Sequence, residues 1–123
     1  MNEVKIGLRE GRHHYPPAAE VHGAAAWKCD QPPQTVEVRL LWFTRGRGSD
    51  DVGVVDTMRF EQPQAEQALP FQFILPPAPY SFSGKLITLS WAVEVVLQPS
   101  KDSARVEFLM APDGKEIVLG EVK

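Results

Sequence analysis

Period-two alternation of apolar and polar side chains runs through most of this chain and is clearest over residues 68–97. Leu69, Phe71, Phe73 and Leu75 alternate with Pro70, Gln72, Ile74 and Pro76, which puts four large apolar side chains on one face of an extended segment. Ile87, Leu89, Trp91, Val93, Val95 and Leu97 then alternate with Leu86, Thr88, Ser90, Ala92, Glu94 and Val96. Pro76, Pro77 and Pro79 have no N–H to give a ladder, so they fall between the two runs. The spacing predicts two strands joined by a stiff turn, with Gly84 at a bend. The thirteen residues 85–97 would reach roughly 40 Å fully extended, about twice a typical strand. Such a run is expected to bend, bulge or pass between sheets.

The same period appears on either side. Val4, Ile6 and Leu8 alternate with Glu3, Lys5 and Arg9, and a polar break follows at residues 11–17. Over residues 20–29, Val21, Gly23, Ala25, Trp27 and Cys29 share one face. The alanines there favour helix on propensity, but Pro17 and Pro32 bracket the segment and Gly23 weakens a helix, so a strand is predicted. Over residues 35–44, Val36, Val38, Leu40 and Trp42 point one way and Glu37 and Arg39 the other, before Leu41 and Phe43 make the second face apolar as well. A loop through Gly46, Gly48, Ser49, Asp50 and Asp51 returns the chain as a hairpin. Its partner, residues 52–61, should turn Val54, Met58 and Phe60 inward and Arg59 outward, with Asp56 breaking the pattern as a buried carboxylate or a bulge or edge residue. Ala104, Val106, Phe108 and Met110 form a further strand, and Asp113-Gly114 is the chemistry of a tight hairpin leading to Ile117 and Leu119.

No window carries an i, i+3, i+4, i+7 stripe. About eight short strands, with prolines filling the gaps, predict an all-β fold: an antiparallel β-sandwich of immunoglobulin-like kind with about seven to eight strands, residues 1–123 forming one domain. A formal charge of −3 and pI near 5.6 argue against a nucleic-acid partner. Charges such as Glu37, Arg39 and Glu94 interrupt every long apolar run, which excludes a membrane span. The start of the chain lacks an apolar signal core, and Cys29 is the only cysteine. A reducing, cytoplasmic setting is therefore expected.

Three segments, in this order, resemble arrestin-like domains: residues 15–23 (YPPAAEVHG), residues 69–76 (LPFQFILP), and residues 79–84 (PYSFSG) with the following strand through Leu89, Trp91 and Val93. Together they span about residues 4 to 110. Ala19 stands where the family often has glycine, and the chain has length for one sandwich where arrestins have two, so their charged latch between halves is not carried over. The resemblance implies a non-catalytic adaptor that holds other proteins.

Chemistry-bearing side chains are sparse. His13, His14, His22, Cys29 and Asp30 are the metal-capable grouping, but their spacing is unlike a zinc motif, and exposed histidines with a core cysteine are the simpler reading. Cys29 has no neighbouring base, and no GxSxG, HExxH or P-loop pattern occurs. Neither catalysis nor a metal or cofactor is expected. The Arg45-Gly46-Arg47-Gly48 tract precedes two aspartates and reads as a solvated hairpin tip, and Trp27, Trp42 and Trp91 read as core. The informative residues are the outward apolar ones. Leu41 and Phe43 stand beside Arg39, and Leu86 and Val96 add to another outer face. Contiguous apolar area there marks an interface with a protein partner or a second copy, unless a loop or sheet end covers it. Arg39, Leu41 and Phe43 are the candidate contact residues. The alternative is a small-ligand or carbohydrate-binding sandwich, which would require Tyr15, Tyr80 and Phe82 to gather in one exposed concavity.

Overall fold

The computed structural model describes residues 2–46, 50–84, 87–112 and 117–118. The strands are β1 (Glu3–Leu8), β2 (His14–Tyr15), β3 (Glu20–Lys28), β4 (Thr35–Gly46), β5 (Val52–Glu61), β6 (Glu66–Ile74), β7 (Phe82–Ser83), β8 (Ile87–Gln98), β9 (Ser103–Met110) and β10 (Ile117–Val118), with one turn of 3-10 helix at Arg9–Gly11. They form an all-β sandwich of a three-stranded sheet, β1-β3-β6, and a larger sheet, β10-β7-β8-β4-β5, to which β9 adds on β8 and β2 on β9. Among the described residues the longer strands pair antiparallel, while β2 with β9 and β10 with β7 are short parallel pairs.

The sandwich is built on β4 and β8. Each is 12 residues long, and they pair without interruption from Thr35 opposite Gln98 to Gly46 opposite Ile87. Both are dense in valine, leucine and tryptophan, the side chains that suit a pleated surface. Their inward residues, Val36, Val38 and Leu40 with Leu89, Trp91, Val93, Val95 and Leu97, are all buried in one core cluster. Trp91 lies over Phe108 of β9 with ring centroids 6.3 Å apart, Tyr15 of β2 meets Phe108 edge-on at 5.3 Å, and the Trp91 indole N–H donates to the Pro79 carbonyl at 2.8 Å.

The opposite layer supplies Val21, Ala25 and Trp27 from β3 and Leu69, Phe71 and Phe73 from β6. Gly23 stands opposite Phe71, and a Cβ there would lie 2.3 Å from the Gly7 carbonyl and 2.5 Å from the Phe71 ring. The absent side chain is what lets that ring settle on the sheet, so strand pairing overrides the helical propensity of the neighbouring alanines.

Several expectations need correction. β6 and β8 are not partners: β6 pairs with β3 and β8 with β4, and the proline-rich segment between them crosses from one layer to the other. Its end is fastened by backbone geometry, since Ser81 N–H donates to the Met110 carbonyl at 2.7 Å and the Ser81 hydroxyl accepts from Met110 N–H at 2.9 Å. The long β8 run neither bulges against β4 nor changes sheet. Instead it takes two successive neighbours on its other side, β7 at Thr88 and Leu89 and β9 from Trp91 to Val96. β10 pairs with β7 rather than returning on β9, and Asp113, Gly114 and Leu119 lie outside the described residues. The β4–β5 hairpin forms as expected, but its register slips at Leu40/Leu41: Leu40 faces Asp56 and Leu41 faces Val54, leaving Val55 as an extra residue. That bulge turns Val54 outward, against the simple alternation.

Trp91→Ala removes the largest fully buried side chain of the core. It is expected to cost roughly 3–5 kcal/mol, read as a lowered thermal midpoint and an earlier urea transition. An unchanged midpoint would overturn the placement of Trp91 at the centre of the core.

Candidate functional site

The outer face of the β4–β8 sheet divides into a charged half and an apolar half, because the odd-numbered residues of β4 run Glu37, Arg39, Leu41, Phe43, Arg45. Register places Glu94 of β8 beside Arg39 and Arg105 of β9 beside Glu94. The Arg39 guanidinium donates to the Glu37 carboxylate and stands 4.0 Å from Glu94, and Arg105 reaches the other Glu94 oxygen at 3.1 Å. Each pair is partly exposed and contributes little by itself, but the connected chain of four holds the arginine side chains in defined positions.

In the apolar half Leu41, Phe43 and Ala92 form a second cluster, on the face opposite the main core. Leu41 and Phe43 point outward, as alternation predicts, and of the two readings left open for them the structure shows the covered one: they are only 2% and 4% exposed. Arginines cover Phe43. The Arg45 guanidinium lies 4.8 Å and the Arg105 guanidinium 4.9 Å from the Phe43 ring centre, and Arg45 is also held by Glu107 at 3.1 Å. A guanidinium over an aromatic face is favourable, and the aliphatic stem shields apolar surface while the charge stays in water. Arg39 belongs to the charged half. Val96, opposite Glu37 and Ser103, is buried as well, and Leu86 lies outside the described residues.

Among the described residues the apolar groups left open on this face come from β5. Val52 stands opposite Phe43 and Val54 opposite Leu41, at 59% and 53% exposure, with Val55 exposed beside them. Alternation alone turned Val54 inward and passed over Val52. The available signal was the Val54-Val55 doublet before Asp56, which breaks period two and marks a bulge.

The remaining candidates are scattered. His13 Nδ1 lies 3.5 Å from the Glu107 carbonyl, His22 pairs with Glu20 at 3.1 Å, and Cys29 packs against the core. Burial, with Asp102 and Asp30 nearby, pushes the Cys29 thiol above its ordinary value, the opposite of an activated nucleophile. Among the described residues no three His, Cys, Asp or Glu side chains converge as a metal site. Nor do the loop aromatics gather: Tyr15 is buried against Phe108 and Phe82 packs on the core, while Tyr80 is exposed. Burial raises the Tyr15 phenol, and Arg12, 4.4 Å from its ring centre, opposes that shift. Arg45 is committed to Phe43 and Glu107, and Arg47 and Gly48 lie outside the described residues. Among the described residues no helix is long and apolar enough to cross a membrane.

No family model matches the chain, and no curated protein matches it. Solved structures to which it is similar include the β-glucosidase from Listeria innocua in complex with gluconolactone, at 16% identity and TM-score 0.48 over 94% of this chain. The same enzyme in complex with glucose matches at 14% identity and TM-score 0.49 over 95% of this chain. In both the chain spans only 16% of the glucosidase.

Two outcomes follow from this geometry. Leu41→Ser with Phe43→Ser should destabilise the fold, each change costing at least about 2 kcal/mol, because both side chains are buried in the free chain. A midpoint equal to that of the native protein would mean the arginine cover is not formed. Cys29 should be alkylated by iodoacetamide more slowly in the folded protein than in the urea-unfolded chain at the same pH, because its raised pKa leaves less thiolate. Equal rates would contradict the burial.

Proposed function

We propose that the protein is a non-catalytic interaction module, an arrestin-like sandwich that binds a protein partner or a second copy through the outer face of its larger sheet. The observation that carries this reading is the pair Val52 and Val54, more than half exposed, standing against the buried Leu41–Phe43–Ala92 cluster. The contact residues are thereby moved from the sequence candidates to their β5 neighbours. Leu41 and Phe43 form the floor of the patch, Val52 and Val54 its contact surface, and Arg39, Arg45 and Arg105 its charged margin. An apolar centre with a polar, arginine-bearing rim is the composition that protein interfaces favour.

The arrestin-like assignment is supported by the positions of its three segments. The Glu-Val-His-Gly sequence lies in β3, the Leu69–Leu75 alternation lies in β6 and just beyond it, and the Pro-Tyr-Ser-Phe-Ser-Gly segment leads through β7 into β8. A cytoplasmic setting is in keeping with the single cysteine, free and partly buried.

Val52→Lys with Val54→Lys tests the proposal. Both side chains are exposed, so the thermal midpoint should stay close to native. Burying the two at an interface would contribute about 1 kcal/mol each at their partial exposure, so association should weaken by at least about tenfold. Light scattering would read self-association and pull-down would read partner recovery. Unchanged mass together with unchanged partner recovery would place the interface elsewhere.

A further inference from the structure

Among the described residues β5 closes one edge of the larger sheet: it pairs with β4 and carries no strand on its other side. Three exposed valines within four residues give it strong strand propensity, and an open edge of that kind is a template for adding another chain. One of its edge-facing backbone N–H groups is nevertheless engaged. Thr44 N–H donates to the Asp51 carbonyl across the hairpin at 2.9 Å. Counting back in twos along β4, Trp42, Leu40 and Val38 therefore turn their backbone groups to β5 and Arg39 turns its own to β8. Thr57 stands opposite Arg39, so its N–H faces the open edge. There it is already taken, donating to Oδ1 of Asp56 at 2.8 Å.

We infer that Asp56 is an edge guard, whose carboxylate keeps β5 from pairing with β5 of a second copy. The carboxylate occupies the position that the carbonyl of an incoming strand would need at Thr57. It stands opposite the core residue Leu40 and remains exposed, and it follows directly on the Val55 bulge. A bulge and a charge on the core-facing side are both means by which sheet edges resist pairing. In a two-fold antiparallel pairing centred on this stretch, the carboxylates of the two copies would fall within a few residues of each other, and like charges on facing strands repel. Arg59 pairs with Glu61 at 2.7 Å, and among the described residues Asp56 makes no ion pair. The guard acts on the edge and the Val52–Val54 patch on the face, so the two are separable.

The test compares Asp56→Val and Asp56→Lys with the native chain by sedimentation velocity over a concentration series, with amide hydrogen exchange read at Thr57. Asp56→Val frees the Thr57 N–H and removes the charge. It should self-associate at least about tenfold more tightly than the native protein, and Thr57 exchange should slow as concentration rises. Asp56→Lys keeps a charge on the edge and should sediment as the native chain does. Asp56→Ala adds no bulk and carries the same expectation as valine if the valine variant fails to fold. The inference is overturned if both neutral variants match the native mass, if association leaves Thr57 exchange unchanged, or if the lysine variant associates as the valine variant does.

Discussion

Everything else in this molecule depends on the uninterrupted pairing of β4 with β8. Two strands of that length, at about 3.3 Å per residue, form a ribbon roughly 40 Å long, wide enough on each face to organise a separate set of contacts. Because side chains alternate strictly, one register serves both faces: whatever aligns Val38 with Val95 for the core also aligns Arg39 with Glu94 on the outside. A slip of one residue would exchange the two faces, placing the charged ladder in the core. The inner apolar set and the outer ionic set therefore specify the same pairing independently.

The neighbours of this ribbon are where the structure departs from simple alternation. On the β8 side, two short strands share one long edge, and the Ser81–Met110 contacts anchor the segment that connects the layers. On the β4 side, one extra residue at Val55 reverses the parity of the rest of β5. Gly53 then faces inward beneath the Trp42 ring, where a Cβ would lie 2.2 Å from the indole, while Val52 and Val54 turn out beside Phe43 and Leu41. A single inserted residue thus creates the exposed patch, next to Asp56 on the same edge strand.

The outer cluster also shows how an outward apolar side chain can be part of the fold. Phe43 lies on the solvent side of the sheet, yet two arginines reach it from β4 and β9, each held by a glutamate. The ion pairs are weak as isolated contributions. Their effect is to orient guanidinium groups over a ring that would otherwise be open to water.

Local pattern determined the strand class, the inward faces of β1, β3, β4, β6, β8 and β9, and the core positions of Trp27 and Trp91, because period-two burial is written directly in the order of residues. It also marked Leu41 and Phe43 as outward, since they break the polar face begun by Glu37 and Arg39. Their burial was not legible there: Arg105 is 62 residues from Phe43 and covers it only because β8 brings β9 alongside. Nor could spacing alone tell that β6 and β8 lie in different sheets, since a proline-rich connection of that length suits a hairpin and a crossing equally well. The bulge at Val55 was hinted at by two adjacent valines, but its position depends on which β4 residue each β5 residue meets. Alternation is a property of one strand, whereas register, cover and edge are properties of several strands together, and only the tertiary structure decides those.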